Sequence, residues 1–421
     1  MGKGGAAVKF LHIADLHLGK TIYGVPLLES GDQRIWIDRF LRLAEEVRPD
    51  AVVIAGDVYD RSAPSGEAVQ LLSHLLTKLH AQSIPVMLVA GNHDSVQRLS
   101  FAGELLAGQG VYISSPLSAP GELAHVTLTD EFGPVTFWLM PYVFPALAAQ
   151  ALEDASIRDY NTAVRALLAR QGADFRERNV IIAHQNVTAG GADGQRGGSE
   201  SMVGGVGQVD YAAFDGFDYV ALGHIHAAYH VGRETVRYAG SPLCYHFDET
   251  RQSAKGPVLV ELGPKGSPVR TETMLIPPLH PMRELKGPYE ELRDGEMASS
   301  RRGEYLRIVL TDRRVSPEIR GFFQDLCKTR DSMLLELCSE YDPHRNSVSA
   351  PESGAAETRS TEELFMDFYS QRVGGQVPEE RDQALLIHAG ELLRRGDTGN
   401  APSPADVEAL LGFLMAQEAE K

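Results

Sequence analysis

Apolar residues cluster in short, β-branched-rich runs along the first half of the chain, and each run gives way abruptly to polar residues. "VKFLHIA" (8–14), "DAVVIAG" (50–56), "IPVMLVA" (84–90), "NVIIAH" (179–184) and "DYVALG" (218–223) lack the alternation of a strand with one wet face. Such runs belong in the middle of a sheet covered on both sides. Between the first three, apolar positions recur at helical spacing: Ile35, Ile37, Phe40, Leu41, Leu43 and Ala44, then Val69, Leu71, Leu72, Leu75, Leu76 and Leu79. The order is βαβαβ, and the five strands are expected in one sheet. In open α/β sheets, ligands gather beyond the carboxyl ends of the strands.

From about 230 the pattern shortens to strands punctuated by turns, in "RETVRYAGSPL" (233–243) and "GPVLVEL" (256–262). The proline-rich "IPPLHP" (276–281) marks a boundary. A smaller α/β unit follows, with strand 305–312, a helix near 317–328 and strand 333–339. Segment 341–360 has linker composition. Two amphipathic helices are expected at 361–373 and 378–395, and a third near 403–417 with Ser403 as N-cap. The Gly-rich stretch 190–207 reads as a long mobile loop, either a flap facing the substrate or a merely disordered segment. The expected division is 1–275 for the main domain, 276–342 for a capping domain, 343–360 for a linker and 361–421 for a C-terminal helical region.

Composition excludes several classes. With 421 residues, the chain has length for two or three domains, and 43% apolar content supplies a sizeable core. Cys244, Cys327 and Cys338 have neither zinc nor redox spacing, so the chemistry must come from oxygen and nitrogen. No apolar run is long enough to span a membrane and the first ten residues lack a signal-peptide pattern, so a cytoplasmic location is expected. A net charge of −17 argues against a bare polycation for nucleic acid, but leaves room for one whose metal ions supply positive charge.

The strand ends carry the chemistry. The first run is followed by Asp15 and His17, the second by Asp57 and Asp60 in "GDVYD", and the third by Asn92, His93 and Asp94 in "GNHD". The fourth ends at His184 and the fifth in "GHIH", with His224 and His226. Five strand ends each delivering carboxylate, amide or imidazole are poorly explained by surface chance. This donor set suits Mn²⁺, Fe or Zn²⁺, and is large enough for two ions.

The ordered set resembles the calcineurin-like metallophosphoesterase superfamily: D-x-H, G-D-x-x-D, G-N-H-D, H, G-H-x-H. "HIADLHLGK", "GDVYDRSAPS", "FDYVALGHIH", "YAGSPLCYHFDE", "YLRIVLTD" and "LFMDFYSQRVGG" are closely similar to the bacterial SbcD family of nuclease subunits. Asp60 stands where archaeal and eukaryotic relatives have histidine, and Gln185 and Asn186 stand where some members have a Gly-His pair. The extension 396–421 has no counterpart in the pattern.

The resemblance implies a metallophosphoesterase β-sandwich flanked by helices, with an α/β cap and C-terminal helices. It implies two divalent ions, Mn²⁺ foremost: one held by Asp15, His17, Asp57 and His226, the other by Asp57, Asn92, His184 and His224. His93 would stabilise the reacting phosphate or protonate the departing oxygen, with Asp94 orienting it. Implied partners are DNA, the ATPase subunit SbcC in a heterotetramer, and a second copy of the nuclease subunit. The implied work is DNA repair, replication and recombination.

Lys20, Arg61, Arg98 and Arg196 lie in or near loops after site motifs and are candidates for phosphate contacts, against a solvated-surface reading of equal weight. His12, His74, His80, His125, His280, His344 and His388 are read as non-catalytic, while His230 and His246 are candidates for orienting a ligand. Three functions compete. They are a DNA exonuclease and endonuclease subunit, a phosphoesterase for small phosphodiesters or phosphoproteins, and a scaffold with a decayed site.

Overall fold

The computed structural model describes residues 7–190, 207–251, 255–296 and 302–341. The expectations for Arg196, most of the Gly-rich stretch, the linker and the C-terminal helices lie outside the described residues. So do those for His344, His388 and Ser403.

The first half alternates as expected: β1 (Val8–Ile13), α1 (Asp32–Val47), β2 (Ala51–Ala55), α2 (Gly66–Ala81), β3 (Val86–Val89) and β4 (Val111–Ile113). Ser65 caps α2 by accepting a hydrogen bond from the Ala68 N–H at 3.3 Å. A hairpin then forms from β5 (Ala124–Asp130) and β6 (Gly133–Met140), followed by α3 (Tyr160–Arg170), β7 (Arg178–His184), β8 (Tyr219–Gly223), β9 (Tyr229–Val231) and β10 (Arg233–Tyr238). The antiparallel strands β11 (Val258–Leu262) and β12 (Arg270–Thr273) return to the first strand.

The five site strands do not share one sheet. β1, β2 and β3 lie in a six-stranded sheet of order β12-β11-β1-β2-β3-β4, and β7 and β8 in a second of order β9-β10-β8-β7-β6-β5. Runs buried on both faces are compatible with either arrangement, because each sheet is covered by helices outside and by the other sheet inside.

Side chains at alternate positions divide between those faces. Phe10, Val53, Ala55 and Val89 meet Phe137, Ile182, Tyr219 and Ala221 between the sheets, with the Phe10 and Phe137 rings edge to face at 5.3 Å. On the outer face of the first sheet, Leu11, Ile13, Val52, Ile54 and Leu88 pack with Phe40, Leu41, Leu71 and Leu75 of α1 and α2. On the outer face of the second, Ile181, Ala183, Val220 and Leu222 pack with Ala163, Val164 and Leu167 of α3. Each fully buried side chain of this size contributes about 1.5–3 kcal/mol of transfer free energy.

The sheets are also joined by polar groups. Arg178, 1% exposed, donates to Asp130 at 2.9 Å and to the Leu262 carbonyl at 3.3 Å, tying β7 to the hairpin and to β11. His12, fully buried, faces the Tyr219 hydroxyl at 3.1 Å across the inter-sheet core.

A third sheet consists of β13 (Met282–Gly287), β14 (Tyr305–Leu310) and β15 (Met333–Ser339), all parallel, with helix α4 (Pro317–Lys328). Its own apolar cluster includes Leu285, Leu306, Ile308, Phe323 and Leu337. Asp32 at the start of α1 links it to the main body, accepting hydrogen bonds from the Tyr305 hydroxyl at 2.7 Å and from the His280 N–H at 3.1 Å. Among the described residues, no helix is long and apolar enough to cross a membrane.

Candidate metal centre

β1, β2 and β3 end beside the ends of β7 and β8, so both sheets deliver their carboxyl-terminal residues to one place. The fit there is close. A Cβ on Gly223 would lie 1.9 Å from the Ala55 carbonyl, and one on Gly91 would lie 2.1 Å from Asp57 Oδ1. Only glycine permits those approaches. At the strand ends the chain turns sharply through left-handed conformations at non-glycine residues: Asp15 (φ 54°), His17 (φ 42°), Asp57 (φ 46°) and His224 (φ 103°). L-residues adopt these φ values at a cost of order 1–3 kcal/mol each, which surrounding contacts must offset. Here the loops after β1 and β2 brace each other, with the Asp15 N–H donating to the Gly56 carbonyl at 3.1 Å and the His17 N–H to the Asp57 carbonyl at 2.9 Å.

Asp57 stands at the middle. Its Oδ2 lies 3.5 Å from His17 Nε2, 3.4 Å from His184 Nε2 and 4.0 Å from His93 Nε2, while Oδ1 accepts the His93 N–H at 3.0 Å. On one side, His17 Nε2 faces His226 Nε2 at 3.2 Å. On the other, Asn92 Oδ1 lies 3.1 Å from His184 Nε2 and 3.2 Å from His224 Nδ1. Asp15 connects the two, accepting the His224 N–H at 3.0 Å and lying 4.0 Å from His184. All seven residues expected as ligands are therefore brought together, from both sheets.

The donor set fits divalent cations. Asp15, His17 and His226 offer ligand atoms within 4.8 Å of one another, as do Asp15, Asp57 and His184, and as do His17, Asp60 and His93. Burial lowers the pKa of His17 to about 4 and that of His224 to about 3, and it lowers His226 as well, leaving bare nitrogens suited to coordination. His184 goes the other way. Burial opposes its charge, but Asp57 and Asp15 outweigh it and push the pKa up to about 9. Two buried carboxylates thus demand positive charge in their midst, which a proton on His184 supplies when no cation does.

The partners of "GNHD" differ from expectation. The Asp94 carboxylate makes no hydrogen bond to the His93 ring. It accepts three backbone N–H groups, from Val58 at 3.0 Å, Tyr59 at 2.9 Å and Gly91 at 2.9 Å, and so clamps the loop after β2 to the loop after β3. The group that orients His93 is the Asp60 carbonyl, 2.9 Å from Nδ1. A carbonyl only accepts, so Nδ1 carries the proton and Nε2 faces the centre.

The candidate phosphate contacts are unequal. Lys20 is committed to Asp60 Oδ1 at 2.8 Å, beneath the Tyr245 ring, and is not a free rim charge. Arg98 donates to the Ser62 carbonyl at 2.9 Å and Arg61 is largely exposed, 4.0 Å from Asp60, so both stand on the rim near His93. His246 pairs with Asp248 and His230 is exposed on β9.

Sequence reasoning missed the residues behind the ligands. Glu249, 1% exposed, lies 3.2 Å from His226 Nδ1. Tyr245 donates to the Leu16 carbonyl at 2.8 Å and sets its ring edge to face against His17 and His226. Tyr142 places its ring 6.1 Å from His184 and 6.2 Å from His224. The run "YHFDE" at 245–249, the end of the family-like stretch "YAGSPLCYHFDE", held the only available signal, an acidic residue near two aromatics.

A family model described as calcineurin-like phosphoesterase matches residues 8–228, the span that supplies all seven candidate ligands. Two curated relatives, each named as the SbcD component of the nuclease SbcCD, are similar over most of both chains. The one from Staphylococcus epidermidis is 31% identical, covering 72% of this chain and 79% of that one. The one from Staphylococcus saprophyticus is 32% identical, covering 72% and 78%. The chain belongs to the SbcD family of calcineurin-like phosphoesterases. A second family model, described as type 5 capsule protein repressor C-terminal domain, matches residues 278–373. Membership of the calcineurin-like phosphoesterases implies divalent metal ions, and the His and Asp clusters of this SbcD-family chain could hold them.

Proposed function

We propose that this chain is the metal-dependent nuclease subunit of a DNA-processing complex, a phosphodiester hydrolase acting as an exonuclease on duplex ends and an endonuclease on single strands and hairpins. The observation that carries this reading is the meeting of seven oxygen and nitrogen donors from two sheets around Asp57. The kinship with proteins named as the SbcD component of the nuclease SbcCD supports it.

In this reading one divalent ion, Mn²⁺ foremost, is held by Asp15, His17, Asp57 and His226, and a second by Asp57, Asn92, His184 and His224. Such ions supply Lewis acidity, activating water and offsetting charge on the attacking and leaving oxygens. Asn92 contributes a neutral oxygen, which limits the negative charge that meets an incoming phosphate. His93 has 42% of its side chain exposed, and its Nε2 is free to meet the scissile phosphate. When protonated there, it donates to the departing oxygen. Arg61 and Arg98 flank that route and contact the strand's phosphates.

Residues 1–275 form the nuclease domain and 276–342 the cap, and 361–421 dock on the ATPase subunit SbcC in a heterotetramer in the cytoplasm, serving DNA repair, replication and recombination. A second copy of this chain pairs through the surface beyond "GNHD", where Phe101 is 80% and Leu105 73% exposed.

The test is nuclease activity of the purified protein on linear duplex DNA with Mn²⁺, with and without the ATPase subunit and ATP. His93→Ala abolishes cleavage and leaves metal binding intact. Cleavage of small phosphodiesters alone, in both conditions, rejects the nuclease reading. Co-purification with the ATPase subunit, lost on deleting 361–395, tests the docking.

A further inference from the structure

Each imidazole at the centre has a second ring nitrogen, and what meets that nitrogen differs from one histidine to the next. For His184 it is the neutral Ala55 carbonyl, at 2.9 Å. For His226 it is a carboxylate. Glu249 Oε1 lies 3.2 Å from Nδ1, and Oε2 is held by the Lys255 ammonium at 2.9 Å, the Tyr245 N–H at 3.2 Å and Ser241 Oγ at 3.3 Å. Lys255 also donates to the carbonyl of His226 itself at 2.9 Å and to Ser241 Oγ at 2.7 Å. One ion pair therefore grips both the ring and the backbone of a single histidine.

At the neighbouring His17 the contact is looser, and its Nδ1 makes no hydrogen bond. Asp60 lies 3.4 Å from His17 Nδ1 and is held by Lys20 at 2.8 Å. His17 Nε2 lies 3.2 Å from His226 Nε2 with hydrogen-bond geometry, so His17 can donate from Nε2 to a bare His226 Nε2.

We propose that Glu249, held by Lys255, is a positioning residue that fixes His226 with the proton on Nδ1 and the Nε2 lone pair turned into the metal centre. The inference rests on the metal-centre reading for its purpose, but the tautomer it specifies belongs to the metal-free protein. A carboxylate beside an ammonium can only accept, so the proton must sit on Nδ1. Outer partners of this kind orient the ring and raise its basicity, and their loss weakens metal binding roughly 10–100-fold.

Glu249→Gln reverses the instruction. Lys255 and the Tyr245 N–H are donors and claim the amide oxygen, which turns the NH₂ toward His226. Nδ1 must then accept, and the proton moves to Nε2, the position the metal needs.

The experiment uses metal-free full-length protein labelled with ¹⁵N-histidine, its ring tautomers read by two-bond proton-nitrogen correlation, with His226 assigned through His226→Asn. Expected are the Nδ1–H tautomer in the wild type, a shift toward Nε2–H in Glu249→Gln, and a roughly 10–100-fold loss in one Mn²⁺-binding step by calorimetry with the other retained. An Nε2–H tautomer in the wild type overturns the proposal, and decides the matter even if Glu249→Gln fails to fold. A folded Glu249→Gln that keeps both tautomer and affinity overturns it equally. A wild type that takes up no Mn²⁺ overturns the metal-centre reading instead.

Discussion

Asp94→Asn separates a clamp from a proton relay. The Asp94 carboxylate is 9% exposed and accepts N–H groups at 3.0 Å from Val58, 2.9 Å from Tyr59 and 2.9 Å from Gly91. An amide of the same shape keeps one acceptor oxygen and presents hydrogens to at least one of those donors. A hydrogen bond to a charged acceptor contributes about 1.5–3 kcal/mol, and a buried donor left unpaired costs about 1–3 kcal/mol. Burial and the neighbouring Asp57 both raise the Asp94 pKa, so the amide also relieves some cost of holding the charge. The net expectation is a loss of about 2–4 kcal/mol, read as a lower urea midpoint at unchanged slope. Because the clamped loops carry Asp57 and Asn92, Mn²⁺ affinity should fall with it. His93 keeps its own partners, Asp57 Oδ1 and the Asp60 carbonyl. Unchanged midpoint and unchanged metal affinity with nuclease activity lost would refute the clamp, and would mean that Asp94 acts on His93 after all.

Three further outcomes are expected. Burial lowers the His12 pKa to about 3, against 6.5 for the ordinary group, so below pH 6.5 the unfolded chain takes up a proton that the folded one refuses. Stability from this residue therefore falls by about 1.4 kcal/mol per pH unit, or about 2 kcal/mol at pH 5. His12→Asn should flatten the denaturation profile by that amount between pH 6.5 and 5, and a profile parallel to the wild type's would contradict the account. Arg178→Met strands the Asp130 carboxylate and should cost about 3–5 kcal/mol in thermal unfolding, with Arg178→Met/Asp130→Leu recovering part of it; a double variant no more stable than the single rejects the pairing. Gly91→Ala drives a methyl into Asp57, where the Cβ would lie 2.1 Å from Oδ1, and should weaken Mn²⁺ binding roughly 10–100-fold; unaltered calorimetry would show that the loop can yield.

The order of the candidate ligands along the chain was legible because it is a local property. A buried strand must end somewhere, and at each of five ends the next residues were a carboxylate, an amide or an imidazole. Burial on both faces, the helices between the first strands, and glycine beside Asn92 and His224 can all be read within a few residues. Which partner each side chain takes could not be read this way. His226 and His17 are 209 positions apart, and they meet because two sheets pack face to face. Local pattern leaves that pairing open, since a run buried on both faces fits either sheet. Asp94 adjoins His93 in sequence, yet its carboxylate turns to the N–H groups of residues 58 and 59. A carboxylate buried at a loop crossing goes to the nearest unpaired donors, and only the packed structure decides where those are. For the same reason Lys20 is drawn inward to Asp60, and Glu249 gains a partner in His226. The sequence by itself determined the residues available to the centre and their order along the chain. The tertiary structure decided their orientation, because a proton's place on an imidazole depends on the acceptor across the gap.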